Sequence, residues 1–326
     1  MRFINLMKSR FFHSPFRLIH DVTYRCNCKC KICERWKKSL DYKNELTTDE
    51  IFEMLNNAKK AGIIMYAAQG GEPLLRKDLP QILQYAKKLN FVTTVITNGF
   101  YLKERFYEIL PFIDYLFVSI DSNDELHDEM RGLKGLREKA IEGIRLCKNS
   151  KTKITINSVI SNLNLDKVEG LVELSEELAI PIIFQPMGVY KGYNENLKPT
   201  QPELKKTFSK IIELKKAGYK ISNSYNYLQY IVRNKSYACH APKCFTYVKP
   251  NGNIESCCFI IDKVWGNVKE KKFKEIFESK EFKEFYKKME NCNKCSVYAV
   301  IETSLAYSLH PRYLFENIFT SNFFKA

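Results

Sequence analysis

From residue 16 to about residue 186 the chain alternates short apolar runs with stretches whose apolar positions recur every three or four residues. The runs at 17–22, 63–68, 91–97, 115–120, 153–160 and 181–185 have the length and flanking turn residues of strands. The stretches at 48–61, 78–89, 102–110, 136–148 and 165–178 read as amphipathic helices. In the first of them Ile51, Leu55 and Ala58 share one face, and Thr47 or Thr48 can cap the start. Such alternation predicts repeated βα units and a parallel sheet. Six strands are two short of a closed eight-unit barrel. Right-handed crossovers then place every helix outside a curved sheet, giving a partial (βα)6 TIM-type barrel with its chemistry at the carboxyl-terminal strand edge.

The pattern changes after residue 187. Residues 188–202 are rich in Gly, Asn and Pro and read as an exit loop, and helices are expected at 202–217 and 223–234. Asn251-Gly252 signals a hairpin between runs at 246–249 and 254–257, because that dipeptide accepts positive φ angles. From 263 to 288 Lys and Glu alternate along an apparent helix with a solvated face. The expected layout is an N-terminal basic and aromatic segment (1–15), the barrel (16–187), a helical connector (188–238), a small Cys-rich domain (239–296) and an aromatic tail (297–326).

Composition narrows the class. The chain has 326 residues, 45% hydrophobic and 27% charged, which describes a folded globular protein with a sizeable core. No apolar run reaches the roughly 18 residues of a membrane-spanning helix. Lys8, Arg10, His13 and Arg17 interrupt any signal-peptide core, so a cytoplasmic location is expected. The net charge of +15 suggests an anionic partner: nucleic acid, lipid headgroups, or a phosphorylated or carboxylated substrate.

The 11 cysteines change the picture more. Without an export signal, clustered thiols point to metal or iron–sulfur ligation rather than disulfides. Directly after the first expected strand the sequence reads Cys26-Asn-Cys28-Lys-Cys30-Lys-Ile-Cys33. Cys26, Cys30 and Cys33 have the spacing C-x3-C-x2-C. Four-iron clusters ordinarily take four thiolates, so three leave one iron open to bind a substrate or cofactor. A zinc knuckle or a reactive loop fits the spacing equally well.

With these landmarks in order, the sequence resembles the radical S-adenosylmethionine (radical SAM) superfamily over about residues 16–186. Cys26, Cys30 and Cys33 match its cluster motif, and Ile32 sits where that family places an apolar residue against the adenine. Gly70-Gly71-Glu72-Pro73 matches its GGEP motif, associated with the methionyl amino group. Thr97, Asn98, Ser119 and Asp121 stand at strand ends where related enzymes place polar cofactor contacts, and Asn157 on the fifth strand and Gln185 on the sixth are expected to face the same cavity. The resemblance implies a [4Fe-4S] cluster that reductively cleaves S-adenosylmethionine. The 5′-deoxyadenosyl radical so formed abstracts hydrogen from an unactivated C–H bond. A reductant of the ferredoxin or flavodoxin type is implied as partner. Cys28 is not required by the motif.

A second group, Cys239-x4-Cys244-x7-Gly252-x4-Cys257 and then Cys292-x2-Cys295, resembles the SPASM or twitch auxiliary domain and implies a second [4Fe-4S] cluster; structural zinc is the competing use. Cys257 and Cys258 should point to opposite faces of a strand. Cys147 is expected in a helix core, and His240 exposed. The aromatic termini, with Phe315, Phe319 and Phe323 on one helical face, are expected either to lie in a membrane interface or to close the barrel. The first functional reading is radical chemistry on a lipid or isoprenoid chain, for a cytoplasmic protein that touches the inner face of the membrane. The second is a peptide-modifying maturase acting on ribosomally made peptides. A remote third is a non-catalytic zinc-containing nucleic-acid binder, for which no RNP-type or helix-turn-helix signature is visible. Replacing Cys30 by Ala is expected to abolish 5′-deoxyadenosine release, whereas Cys257→Ala should spare part of it and block product formation; unchanged turnover in either variant contradicts the ligand assignment.

Overall fold

Strand β1, Arg17–Thr23, begins the fold and sits near its middle. The computed structural model describes residues 15–234, 237–256, 263–292, 295–309 and 313, without the side chains of 39–42. Strands β2 (Met65–Gly70), β3 (Val92–Thr97), β4 (Tyr115–Ser119), β5 (Lys153–Ile160) and β6 (Ile182–Pro186) follow, each parallel to its predecessor. Parallel neighbours need crossovers, and helices Thr48–Lys60, Leu79–Lys88, Leu102–Ile109, Leu136–Cys147 and Val168–Leu178 supply them. This is the α/β architecture that the hydrophobic pattern predicts.

Local chemistry explains the elements. Thr47 Oγ1 accepts from the Glu50 N–H at 3.3 Å while Glu50 Oε2 accepts from the Thr47 N–H at 2.8 Å, a reciprocal cap for the first crossover helix. Acids in its first turn and Lys59 and Lys60 in its last complement the helix dipole. The strands alternate as a two-sided sheet must. Leu18, Tyr66, Val95, Leu116, Ile156 and Phe184 face the helices and are buried, each such side chain contributing roughly 1.5–3 kcal/mol. Their neighbours Ile19, Ala67, Ile96, Phe117, Asn157 and Ile183 face an interior cavity.

Two features differ from the expectation. Strand β7 (Phe245–Val248), from the Cys-rich region, pairs in parallel with the free side of β1, and β8 (Asn253–Glu255) and β9 (Val264–Asn267) continue antiparallel. One sheet of order β6-β5-β4-β3-β2-β1-β7-β8-β9 therefore runs through both regions. An uncovered β1 would leave a row of unpaired backbone groups, which β7 satisfies. The expected hairpin is present, with Gly252 at φ +88°. The single helix expected over 263–288 is instead β9 followed by Phe273–Glu278 and Lys280–Met289, because Ser279 starts a new helix by accepting from the Phe282 N–H. Trp265 of β9 packs edge-on against Phe282 and Phe285 at 5.1 and 5.0 Å, which requires the strand.

Helix Tyr298–Tyr307 opens the aromatic tail. Its residues from Val300 to Tyr307 are all buried, as befits a helix with no polar face, and it lies along the cavity. This part of the tail packs on the barrel. The segment 1–14, Cys257, Cys258 and the helical-face trio Phe315, Phe319 and Phe323 lie outside the described residues. Among those described, no helix is long and apolar enough to cross a membrane.

His20 on β1 is buried, its Nδ1 2.9 Å from the Tyr66 hydroxyl, and burial together with the Arg76 cation lowers its pKa to about 3. The unfolded imidazole takes its proton near pH 6.5, so this group's contribution is complete above that pH and is lost as pH falls toward 3. His20→Gln is expected to show a shallower loss of unfolding free energy between pH 6.5 and 4 than the parent, measured by denaturant titration; equal slopes contradict the assignment.

Candidate active site

Beyond Thr23 the chain turns into the cysteine loop, and Cys26, Cys30 and Cys33 line one end of a cavity of about 470 Å³. The loop is strapped from two sides. The N–H groups of Lys29 and Lys31 donate to the carbonyls of Arg131 and Met130 at 3.0 and 2.8 Å. Opposite, the Gly71 and Glu72 N–H groups donate to the Thr23 and Arg25 carbonyls, both at 2.8 Å. Gly70 has φ +142°, and a Cβ on Gly71 would stand 2.2 Å from the Arg25 oxygen. What this glycine pair approaches so closely is the backbone leading into the cysteine loop.

Glu72 is fully buried and does not line the cavity. Its carboxylate accepts from the Thr97 hydroxyl at 2.6 Å and from the N–H groups of Asn98 and Leu74 at 2.8 and 3.0 Å. Burial pushes its carboxyl up, against the opposing pull of those donors. Asn98 also donates from Nδ2 to Asn27 Oδ1 at 2.8 Å and to Cys28 Sγ at 3.2 Å. Ile32, Gly70, Gly71, Thr97, Asn98, Ser119, Asn157 and Gln185 all line the cavity. Gln185 donates to Asn157 at 3.2 Å and accepts from the Tyr298 N–H at 3.2 Å, tying the covering helix to β6.

Asp121 behaves differently from the sequence expectation. Strand β4 ends at Ser119, so the alternation that would aim Ser119 and Asp121 alike does not extend so far. Asp121 is not among the described residues lining the cavity; its carboxylate pairs with Arg131 at 2.8 Å and accepts from the Val159 N–H at 2.9 Å. Arg131 itself does line the cavity. The Cys30 thiol is drawn down by a hydrogen bond from Cys28, with the Arg131 cation assisting.

Sequence reasoning also missed a second polar corner in this largely apolar space. Asp21 accepts from the Tyr247 hydroxyl at 2.7 Å and from Gln69 at 3.1 Å, with Arg35 at 3.5 Å and Lys249 at 3.6 Å. Burial would raise the Asp21 carboxyl, but the two cations and two donors hold it below its ordinary value. Gln69, Arg35 and Tyr247 line the cavity. Their positions on β2, after Cys33 and on β7 give no local motif. Only the β7–β1 pairing brings them together.

In the second cysteine group, Cys239 and Cys244 are buried and Cys292 and Cys295 half-buried. Burial, with neighbouring Cys295, Cys239 and Cys292, pushes the Tyr237 phenol up, and its hydroxyl donates to the Cys295 carbonyl at 3.0 Å. His240 is half-buried rather than exposed, its N–H bonded to Ser304 Oγ at 3.0 Å, and Cys147 is packed in the core. Among the described residues no three His, Cys, Asp or Glu side chains close on a single ion. A four-iron cluster is larger than an ion and is held by soft thiolates, so the cavity-lining thiols Cys26, Cys28, Cys30 and Cys33, three of them in the C-x3-C-x2-C spacing, fit an iron–sulfur cluster by donor type.

Comparison with known proteins agrees. Residues 21–175 match the model of the radical SAM superfamily, and residues 185–318 match a domain of unknown function, DUF3463. The Fe-coproporphyrin III synthase of Methanosarcina barkeri is 30% identical over 177 residues, 54% of this chain and 44% of that protein, so the match spans less than half of that relative. The AdoMet-dependent heme synthase of the same organism is 27% identical over 319 residues, 87% of this chain and 88% of that protein. Among solved structures, Streptococcus suis SuiB bound to S-adenosylmethionine superposes with a TM-score of 0.71 at 16% identity, covering 89% of this chain and 75% of that one. For anSMEcpe with bound AdoMet the values are 0.67, 18%, 92% and 98%. These structures share the fold, a parallel α/β sheet.

Gly71→Ala forces the strap off the Arg25 carbonyl. It is expected to leave the circular dichroism spectrum near that of the parent while lowering iron bound after anaerobic reconstitution at least several-fold; parental iron content contradicts the strap.

Proposed function

Because the chain belongs to the radical SAM superfamily, we propose that it takes a hydrogen atom from an unactivated C–H bond of a predominantly apolar small molecule, with a lipid or isoprenoid chain as the first reading. The observation that carries this is the cavity of about 470 Å³, which starts at the cysteine loop and continues between Ile19, Ile96, Phe117, Ile183 and Val300. The bound cluster and S-adenosylmethionine supply the radical reactivity.

The chain's own residues do the rest. Cys26, Cys30 and Cys33 hold the cluster, and the Glu72 knot keeps their loop against β3. Ile32, Thr97, Asn98, Ser119, Asn157 and Gln185 line the space for S-adenosylmethionine. The apolar walls and the covering helix exclude water and fix which substrate C–H lies nearest, the chief task left to a protein whose cofactor does the chemistry. The polar corner at Arg35, Gln69 and Tyr247 receives the polar end of an amphipathic substrate. Cys239, Cys244, Cys292 and Cys295, with Cys257, hold an auxiliary cluster; the grouping of Cys239, Cys292 and Cys295 about Tyr237 supports it. A cytoplasmic protein meeting its substrate at the inner face of a membrane suits this reading.

A tetrapyrrole is the second reading, favoured by the likeness to the M. barkeri heme synthase over most of both chains. A tetrapyrrole also joins a flat apolar body to polar edge groups. The peptide-modifying reading has only a shared fold behind it. Family membership displaces a non-catalytic zinc protein.

Anaerobic reconstitution tests the proposal. About eight irons per chain, four for each cluster, and dithionite-dependent 5′-deoxyadenosine are expected, with release stimulated by an isoprenoid or fatty-acyl lipid. Stimulation by a coproporphyrin alone selects the second reading. Stoichiometric zinc without iron contradicts both.

A further inference from the structure

The cavity has a second end, at the amino-terminal ends of the strands. Strand β1 is paired on both sides, so its inward residues form rungs with β2 and β7. Gln69 stands beside Asp21, then Ala67 and Tyr247 flank Ile19, then Met65 and Phe245 flank Arg17. All of these but Asp21 line the cavity. Arg17 lies two rungs below Asp21, about 13 Å along the strand at roughly 3.3 Å per residue. The thiol loop begins only beyond the other end of β1, after Thr23.

A guanidinium keeps its charge at every ordinary pH, and both neighbours of Arg17 on its rung are apolar. Its Nη2 donates to the Met65 sulfur at 3.6 Å, and the group lies 5.2 Å from the centre of the Phe245 ring. A thioether is a weak acceptor, and a ring takes the face of the guanidinium plane, whereas an oxyanion takes the N–H groups at its edge. All three can be held at once. Arginine meets carboxylate twice elsewhere in this lining, where the wall itself supplies the acid: Asp21 lies 3.5 Å from Arg35 and Asp121 2.8 Å from Arg131. Glu302, the one acid among the described lining residues, is anchored on the covering helix by the Ser224 N–H at 2.9 Å. A ligand that fills the Arg17 end expels water from around the guanidinium, and an oxyanion at its edge offsets the lost hydration.

We propose that Arg17 holds an oxyanion, a carboxylate or a phosphate, at the end of the substrate remote from the reacting carbon. This rests on the reading of the cavity as the substrate site of a radical SAM enzyme, and it narrows the substrate to an anionic amphiphile bound lengthwise. The charged group lies at the amino-terminal strand ends, and the hydrocarbon runs toward Cys26, Cys30 and Cys33. The corner at Tyr247 meets polar atoms nearer the reacting carbon. Carboxylate and phosphate share the geometry that accepts two parallel N–H bonds from a guanidinium edge, which fixes direction as well as charge.

The test titrates the anaerobically reconstituted protein calorimetrically with decanoate, decyl phosphate and decan-1-ol. The parent is compared with two neutral variants, Arg17→Gln and Arg17→Met, and with Arg35→Gln. One or both anions are expected to bind the parent at least about tenfold more tightly than the alcohol, the scale of a charge-assisted hydrogen bond. The tighter anion tells a carboxylate substrate from a phosphate one. Both Arg17 variants are expected to lose the preference by weakening the anion at least tenfold while the alcohol binds as in the parent, and Arg35→Gln is expected to keep it. A preference that survives in either Arg17 variant overturns the assignment. A preference lost in Arg35→Gln and kept in the Arg17 variants moves the anion to the Tyr247 corner and overturns it too. No preference in the parent, or equal weakening of all three probes in both Arg17 variants, does the same. A parent that prefers the anions in this way but releases no 5′-deoxyadenosine with dithionite keeps the Arg17 site and overturns the functional reading, a result distinct from all of these.

Discussion

The architecture of the site depends on a contact between two stretches of backbone with no side chain between them. Where Gly70 and Gly71 end β2, the chain meets residues 23–25 so closely that a single Cβ would collide with a carbonyl oxygen. From that contact the Gly71 and Glu72 amides bond to residues 23 and 25, and the Glu72 carboxylate reaches Thr97 at the end of β3 and Asn98 just beyond it. Asn98 then touches the cysteine loop again. Three strand ends and the thiol loop thereby become one hydrogen-bonded unit. Fully buried polar groups are tolerated there because nearly every one has a partner, and leaving such a group unmatched costs about 1–3 kcal/mol.

The barrel was legible in the sequence because its signal is local: apolar runs of strand length, stripes of helical period and caps such as Thr47 with Glu50. The thiol loop and the glycine pair were legible because their spacing is short. The polar corner was not, since Asp21, Arg35, Gln69 and Tyr247 are drawn together by strand pairing across more than 200 residues, which no window sees. Asp121 shows a different limit. Alternation puts it beside Ser119 only while the strand lasts, and the strand stops first. The region after 263 misled because Lys and Glu alternation describes exposure and not helical continuity, so Trp265 looked like one more helix position.

Within the cavity polarity is graded. Thiols and amides occupy the end where the strands terminate, and apolar side chains from β1 to β6 and from the covering helix occupy most of the remainder. The corner at Tyr247 interrupts this gradient on one side, and Glu302 and Thr303 of the covering helix add polar groups to the lining. Burying a polar group against the apolar part of such a lining without a partner costs several kcal/mol.

The parallel pairing of β7 with β1 bears on how this chain can be cut and recombined. Although the residues that resemble other barrels end near position 187, an excised N-terminal fragment would carry an unprotected sheet border and would tend to stick to itself. Chimeras that exchange the C-terminal half must therefore bring a replacement for Phe245–Val248 in register with Arg17–His20, which limits the crossover points available to recombination, natural or engineered.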